Sequence, residues 1–289
     1  LKGVHLRCAL NPYAGFEDER KAPAAETPKR VLVVGGGPGG CTAALLAKQA
    51  GHEVELWERS GTIGGKTLAA SAPYMKADML RLPNYYNVQL IKAGVPVRFF
   101  KEANRETVTE FAPDVLIWAA GGDVVRPKSI PGLDRSNVYS CEEALRNYVP
   151  LGKHLAIIGG GQVGIEAAIH FNTVGHDVTV VEMADKLMPD PPFVQNANVL
   201  KELMAAGTGT YLTGTKLVEV DAEGIVVETA EGKRHIDCDT VLLAMGWAPD
   251  ASRGEELSDI CRVIPVGDSS KCRNILAATT EAYEAVASI

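Results

Sequence analysis

The sequence predicts an α/β chain of two Rossmann-like, three-layer dinucleotide-binding domains, the second inserted in the first. Three observations carry this. Residues 31–58 read as strand, glycine turn, helix and strand ending in an acid, with Gly35, Gly37 and Gly40 at G-x-G-x-x-G spacing. An ungapped offset of 124 positions lays Gly35, Gly37, Gly40, Ala43, Ala44, Gly51, His52 and Glu58 on Gly159, Gly161, Gly164, Ala167, Ala168, Gly175, His176 and Glu182. After the second copy the chain returns to a strand, Val263–Val266, then Gly267-Asp268 and an Ala-rich helix, so the C-terminus closes the first domain.

Val31-Leu32-Val33-Val34 is short, apolar and mostly β-branched, as a central parallel strand buried on both faces should be. Gly35 makes the tight turn, Gly37 admits a pyrophosphate to the backbone, and Gly40 lets helix and strand pack closely. Pro38 and Gly39 open the helix, whose free N–H groups and positive dipole end face the phosphates. Glu58 closes the second strand eighteen positions after Gly40, where an acid accepts ribose hydroxyls. Arg59 follows, either at the adenine or phosphate or as surface charge. Gly64-Gly65 gives a further glycine turn. Residues 74–93 read as helix, interrupted or restarted at Pro83. Val95–Phe100 reads as a strand. Asp114–Gly122 is a strand ending in small residues, where Ala120 and Gly121 let the backbone pass close to a ligand. Residues 123–150, with Pro127, Pro131 and Pro150, read as a crossover.

The second unit places Gly159, Gly161, Gln162, Val163 and Gly164 at its turn and helix start, and Glu182 at the end of its second strand. A helix at about 194–206 and short strands around 210–220, 225–230 and 234–237 lead to Thr240–Gly246, which repeats the 115–121 pattern with Gly246 at its end. Asp268 is placed to accept bonds from a polyol chain beside a helix N-terminus. The boundaries that follow are 30–148 with 256–289 for the first domain and 149–255 for the second. Residues 1–29 lack periodicity, end in a Pro/Ala-rich linker, and read as an arm docked on another surface.

Net charge is −7 with no basic block, which argues against nucleic-acid and anionic-membrane partners. No apolar run reaches the length of a membrane span. The six cysteines are scattered without Cys-x-x-Cys, which disfavours a local redox dithiol and fits a reducing cytoplasm. The first residue is Leu1, and a fragment or split subunit is the expectation. Cys41, His170, Trp57 and Trp118 read as packing, and Glu166 as an acid favouring its helix dipole. Glu182, followed by Met183 and not arginine, repels a 2′-phosphate, so NADH is expected over NADPH; Lys186 is the nearest cation that would rescue a phosphate.

The order Gly35–Gly40, Glu58, Gly64-Gly65, Ala119-Ala120-Gly121, an inserted second fingerprint and Gly267-Asp268 resembles the two-dinucleotide flavin reductases, with their glutathione-reductase-like fold. Arg7-Cys8-Ala9-Leu10-Asn11-Pro12-Tyr13-Ala14-Gly15-Phe16-Glu17 is similar to the segment joining barrel to reductase in the old-yellow-enzyme-like iron–sulfur flavoproteins, such as 2,4-dienoyl-CoA reductase, 2-enoate reductase and trimethylamine dehydrogenase. The family's Ala-Thr-Gly is Ala119-Ala120-Gly121 here.

The resemblance implies FAD on Gly35–Gly40, Glu58, Arg59, Gly64, Gly65, Ala120, Gly121, Gly267 and Asp268. It implies NADH on Gly159–Gly164, Glu182 and Gly246. Hydride would pass to FAD and electrons onward to a [4Fe–4S] cluster and an FMN barrel that reduces an enoate or enoyl-CoA type substrate. The barrel and cluster would belong to a parent domain or partner subunit in an oligomer, and Cys8 would be one cluster ligand. Four thiolates are needed for such a cluster, and the other three are absent from these 289 residues. No side chain is assigned an acid–base role, because the cofactors carry the chemistry. Two alternatives stand beside this reading: a non-catalytic adenine-nucleotide-binding domain, as in amine dehydrogenases, and a stand-alone NADH:acceptor reductase. A thioredoxin-reductase-like activity is disfavoured by the missing Cys-x-x-Cys.

Overall fold

The computed structural model describes residues 6–189 and 194–289. In chain order the elements are β1 (Arg30–Val34), α1 (Pro38–Ala50), β2 (Glu53–Glu58), α2 (Thr67–Ala70), a 3-10 segment Tyr74–Leu80, α3 (Arg81–Ala93), β3 (Val97–Phe99), α4 (Arg105–Phe111), β4 (Val115–Trp118) and β5 (Gly122–Val124). Next come β6 (Val138–Ser140), α5 (Cys141–Leu145), β7 (His154–Ile158), α6 (Gln162–Thr173), β8 (Asp177–Val181), α7 (Val194–Ala206), β9 (Thr210–Leu212), β10 (Lys216–Val220), β11 (Gly224–Thr229), β12 (Gly232–Asp237) and β13 (Thr240–Leu243). The chain ends with β14 (Trp247–Pro249), α8 (Ala251–Glu255), β15 (Arg262–Pro265), a 3-10 turn Gly267–Ser269 and α9 (Ile275–Ala287).

The chain divides into two compact units. The first holds a parallel sheet in the order β15-β4-β1-β2-β3. Both faces of β1 are buried. Val31 and Val33 pack with residues of α1, α3 and α9, whereas Leu32 and Val34 pack with Trp57, Val108, Leu116 and Trp118. This explains the unbroken apolar run.

The second unit repeats the plan in a parallel sheet ordered β6-β13-β7-β8-β9. Leu155 and Ile157 pack with the α6 residues Ile165 and Ile169. Ala156 and Ile158 pack with Leu217, Ile225 and Val227 of an antiparallel sheet, β10-β11-β12. The edge strand opposite β3 or β9 has a different origin in each copy. It follows the other strands in the first unit (β15) and precedes them in the second (β6).

The compact units differ from the boundaries expected from sequence. Residues 124–148 lie in the second unit, because Val138 pairs with Val241 and Ser140 with Leu243 in its sheet. Residues 69–78 also belong there, with Ala69 and Met75 in its core. Residues 247–255 lie in the first unit, where the Trp118 indole donates to the Asp250 carbonyl at 2.8 Å. Pro83 falls in the first turn of α3, where its missing N–H breaks no helical bond.

The N-terminal arm is likewise corrected: its described residues are part of the first unit. Thr279 donates to the Ala9 carbonyl at 2.9 Å, Tyr283 to the Lys21 carbonyl at 3.0 Å, and Tyr13 packs edge-on to Tyr283 at 5.4 Å. Phe16 is covered by the Arg20 guanidinium at 4.6 Å. The arm therefore spends Tyr13 on α9, while Phe16 is covered by the arm's own Arg7 and Arg20. Leu6, 87% exposed, and Leu10 remain outward. Val4, expected to bury against a partner, lies outside the described residues.

Candidate functional site

Both glycine turns have the same construction. Gly35 has φ +107°, and a Cβ there would stand 2.2 Å from the Ala119 carbonyl oxygen. Its counterpart Gly159 has φ +113° and would meet the Ala244 carbonyl oxygen at 2.5 Å. A Cβ on Gly40 or Gly164 would fall 1.9 Å from the carbonyl oxygen of Gly35 or Gly159. These four glycines are required by protein packing. Gly37 and Gly161 are not: each has an ordinary φ, and a Cβ on either would meet no protein atom within 4 Å. A glycine that the protein itself does not need, at the start of a helix with free N–H groups, fits the close approach of a pyrophosphate.

The strand-ending acids are also built alike. The Gly36 and Ser60 amides donate to the two Glu58 oxygens, each at 2.7 Å. The Gly160 and Ala184 amides donate to those of Glu182 at 2.6 and 2.7 Å. Each carboxylate keeps lone pairs beyond these two bonds for ribose hydroxyls. The surroundings differ: Glu58 is buried, whereas Met183 beside Glu182 is 74% exposed.

The remaining expected residues of the first unit gather at the carboxyl ends of β1, β2, β4 and β15. The Gly64 amide donates to the Gly36 carbonyl at 2.8 Å, and a Cβ on Gly65 would lie 3.1 Å from the Gly37 Cα. Gly121 exchanges bonds with the buried Ser269 hydroxyl, which accepts its amide at 2.9 Å and donates to its carbonyl at 3.1 Å. Gly267 donates to Glu281 at 2.8 Å. Asp268 accepts from the Arg273 amide at 3.2 Å and pairs with Lys66 at 3.1 Å. Arg59 is exposed and lines a groove with Glu58, Trp57, Lys101, Ala103 and Ala120. Gly39 faces Val266 and Ala278, so its small size serves helix packing.

In the second unit Gln162 and Val163 occupy the first turn of α6, and Gly246 has φ +90° with no atom within 4 Å of a built Cβ. Glu166 is more than a dipole partner: Lys76 bonds it at 2.8 Å and Gln162 at 2.8 Å, in a buried setting. Burial raises the thiol pKa of Cys41, whose Sγ bonds the Gly36 carbonyl at 3.2 Å, so Cys41 is a packing residue. His170 packs edge-on to Phe171, and burial lowers its pKa. Sequence reasoning missed Ser269, Lys66 and Lys76. Lys66 directly follows Gly64-Gly65, which was the one available signal. Cys8 is exposed, and among the described residues no group of three or more His, Cys, Asp or Glu side chains is placed to hold a metal ion.

Two parallel sheets with paired glycine turns and ribose acids define a two-dinucleotide-binding oxidoreductase of the glutathione-reductase-like fold. The family model of the pyridine nucleotide-disulphide oxidoreductases matches residues 29–258, and the chain belongs to that family. FAD and a pyridine nucleotide are the cofactors of this module. The chain is 33% identical to cinnamate reductase of Clostridium sporogenes over 287 residues, covering 98% of this chain and 43% of that protein. It is 35% identical to bilirubin reductase of Mediterraneibacter gnavus over 281 residues, covering 96% and 43%. A solved 2-naphthoyl-CoA reductase complex superposes with a TM-score of 0.92 at 30% identity, over 98% of this chain and 43% of that one. The chain therefore spans less than half the length of these relatives. Among the described residues no helix is long and apolar enough to cross a membrane.

Proposed function

We propose that the chain is the NADH-oxidising module of an old-yellow-enzyme-like iron–sulfur flavoprotein, with FAD on the first unit and NADH on the second. The observation that carries this is the duplicated bracket: Glu58 on the Gly36 amide and Glu182 on the Gly160 amide, each beside a glycine that protein packing does not require. Bound FAD supplies hydride acceptance from NADH. The chain's residues do the rest: Gly37 and the α1 N-terminus receive the pyrophosphate, Glu58 the adenosine ribose, and Gly64, Gly65, Ala120 and Gly121 pass their backbones alongside. Gly161, Gln162, Val163 and Gly164 receive the NADH pyrophosphate and Glu182 its ribose. Orientation and exclusion of water are the protein's contribution, and no side chain moves a proton.

Cys8 would be one ligand of a [4Fe–4S] cluster whose other three thiolates a preceding domain or partner would supply, and that cluster would carry electrons to an FMN barrel acting on an enoate or enoyl-CoA type substrate. Similarity to cinnamate reductase and to 2-naphthoyl-CoA reductase supports that substrate class. Barrel and cluster reside in a preceding domain or a separate subunit of a cytoplasmic oligomer. Anaerobic NADH addition to the flavin-bound chain, and separately extraction of the bound flavin, test the core of this reading. FAD release and bleaching of its blue absorption band are expected. Release of FMN alone, or a bound adenine nucleotide with no flavin, overturns it.

A further inference from the structure

We infer that His52 is an acid-released latch: protonation of its ring breaks the bond that fastens the linker ahead of β1 to the turn between α1 and β2, a response that the duplicated His176 lacks. The His52 ring is buried and directly follows Gly51, whose left-handed backbone ends α1. Its Nδ1 accepts the Lys29 amide at 3.2 Å. An amide only donates, so Nδ1 must hold a lone pair, and the ring is neutral with its proton on Nε2. Three further bonds converge there. The Ala25 amide donates to the Ala50 carbonyl at 2.9 Å, the Glu53 amide to the Lys29 carbonyl at 2.9 Å, and the Lys29 ammonium to the Ile289 carbonyl at 2.7 Å. Linker, α1, β2 and the residue that follows α9 are thus joined around one imidazole.

A second proton on this ring would turn its acceptor into a donor facing the Lys29 N–H, and would set a positive ring beside the Lys29 ammonium. The other charged side chains on the elements packed here are the exposed Glu26 of the linker, Lys48 in the last turn of α1, Glu53 of β2, paired with Arg30 at 3.6 Å, and Glu284 of α9, paired with Arg20 at 3.8 Å. Burial first, and then the Lys29 charge, lower the pKa of His52. A lowered folded-state value means that the latch is closed above the ordinary histidine value, about 6.5, and opens as pH falls below it. The repeat supplies the contrast. His176 holds the same place in the second unit, but its Nδ1 faces the Gly152 carbonyl at 2.8 Å and must carry a proton already. A further proton leaves that bond intact.

The test is amide hydrogen exchange of the linker, residues 24–29, in the full chain at about pH 7.5 and about pH 5, corrected for the intrinsic exchange rate. Protection is expected to fall about tenfold at the lower pH in the parent, as one unit of pKa difference would give. His52→Asn places a side-chain oxygen near the Nδ1 position, an acceptor that takes no proton in this range, and should hold linker protection within about twofold across the two conditions. His176→Asn should leave the parent's response unchanged. A parent whose linker protection changes by less than about twofold overturns the inference, as does an equal loss in His52→Asn or an abolished response in His176→Asn. If His52→Asn does not fold, or is unprotected at both pH values, the parent decides alone through exchange of the imidazole C2 hydrogen. The His52 midpoint should then lie below about 6.5 and coincide with the loss of linker protection. A midpoint at or above that value, or one that does not coincide, overturns the latch.

Discussion

Gly40 and Gly35 meet through a single carbonyl: a Cβ on Gly40 would lie 1.9 Å from the Gly35 oxygen, while one on Gly37, three residues earlier, would touch nothing. The two glycines therefore fail in different ways. Gly40→Ala should lower the stability of the flavin-free chain by about 1–3 kcal/mol, because backbone must move to admit the methyl group. Gly37→Val should leave that stability within about 0.5 kcal/mol yet abolish FAD retention. Thermal melts with and without FAD separate the two, and equal melting losses would contradict the division of roles.

The coenzyme preference follows from Glu182. A 2′-phosphate brought to a carboxylate already holding the Gly160 and Ala184 amides faces like charge, whereas a ribose hydroxyl donates to it. NADH should exceed NADPH by about 10- to 100-fold in kcat/KM, or about 1.4–2.8 kcal/mol. Glu182→Gln should narrow that ratio. Steady-state rates with both coenzymes measure it, and equal values would redirect attention to Lys186.

Removal of the arm is expected to be felt in the first unit. The Tyr13–Tyr283 contact, the Ala9 carbonyl bond to buried Thr279 and the Arg20–Glu284 pair at 3.8 Å all end on α9. Tyr13→Ala should cost about 2 kcal/mol from lost aromatic burial and the edge-on contact. Deleting residues 1–25 should cost more. Chemical denaturation checks both, and an unchanged midpoint would return the arm to the status of an independent docking segment.

His235 gives the second unit a pH dependence. Its Nε2 lies 3.0 Å from Asp221 and its Nδ1 2.9 Å from Asp237, and the Asp221 bond is the main cause that raises its pKa above the ordinary histidine value. A raised folded-state pKa means that the stabilisation is complete below the unfolded value, about 6.5, and is lost as pH rises through the higher folded value. The thermal midpoint followed from about pH 6 to pH 9 should fall across that window in the parent and flatten in His235→Gln. A parallel decline in both would exclude His235 as the cause.

The ungapped repeat made the sheets legible, because each central strand is a short apolar run closed by a glycine turn and an acid. Other features had no local signature. The three-residue strand Val138–Ser140 has no period to read, and its membership depends on pairing with Val241 and Leu243 a hundred positions later. Residues 69–78 join the second unit through Ala69, Met75 and the Lys76–Glu166 pair, all tertiary choices. The arm has no periodicity to read because several of its anchors lie on α9, where Thr279 and Tyr283 bond the Ala9 and Lys21 carbonyls. At the site, the fingerprints marked backbone positions and ribose acids but were silent on Lys66 and Ser269, whose contacts with Asp268 and Gly121 come from side chains meeting across distant loops.

The bracket that Glu58 makes on the Gly36 and Ser60 amides, repeated by Glu182, has a calorimetric consequence. Each turn is already locked in a single shape by its own carboxylate, so the entropy of ordering it is lost when the chain folds and not when a nucleotide arrives. Nucleotide capture by either turn should then resemble the filling of a rigid mould, with little heat or entropy spent on rearranging the loop. Replacing either acid would transfer that ordering step from folding to binding.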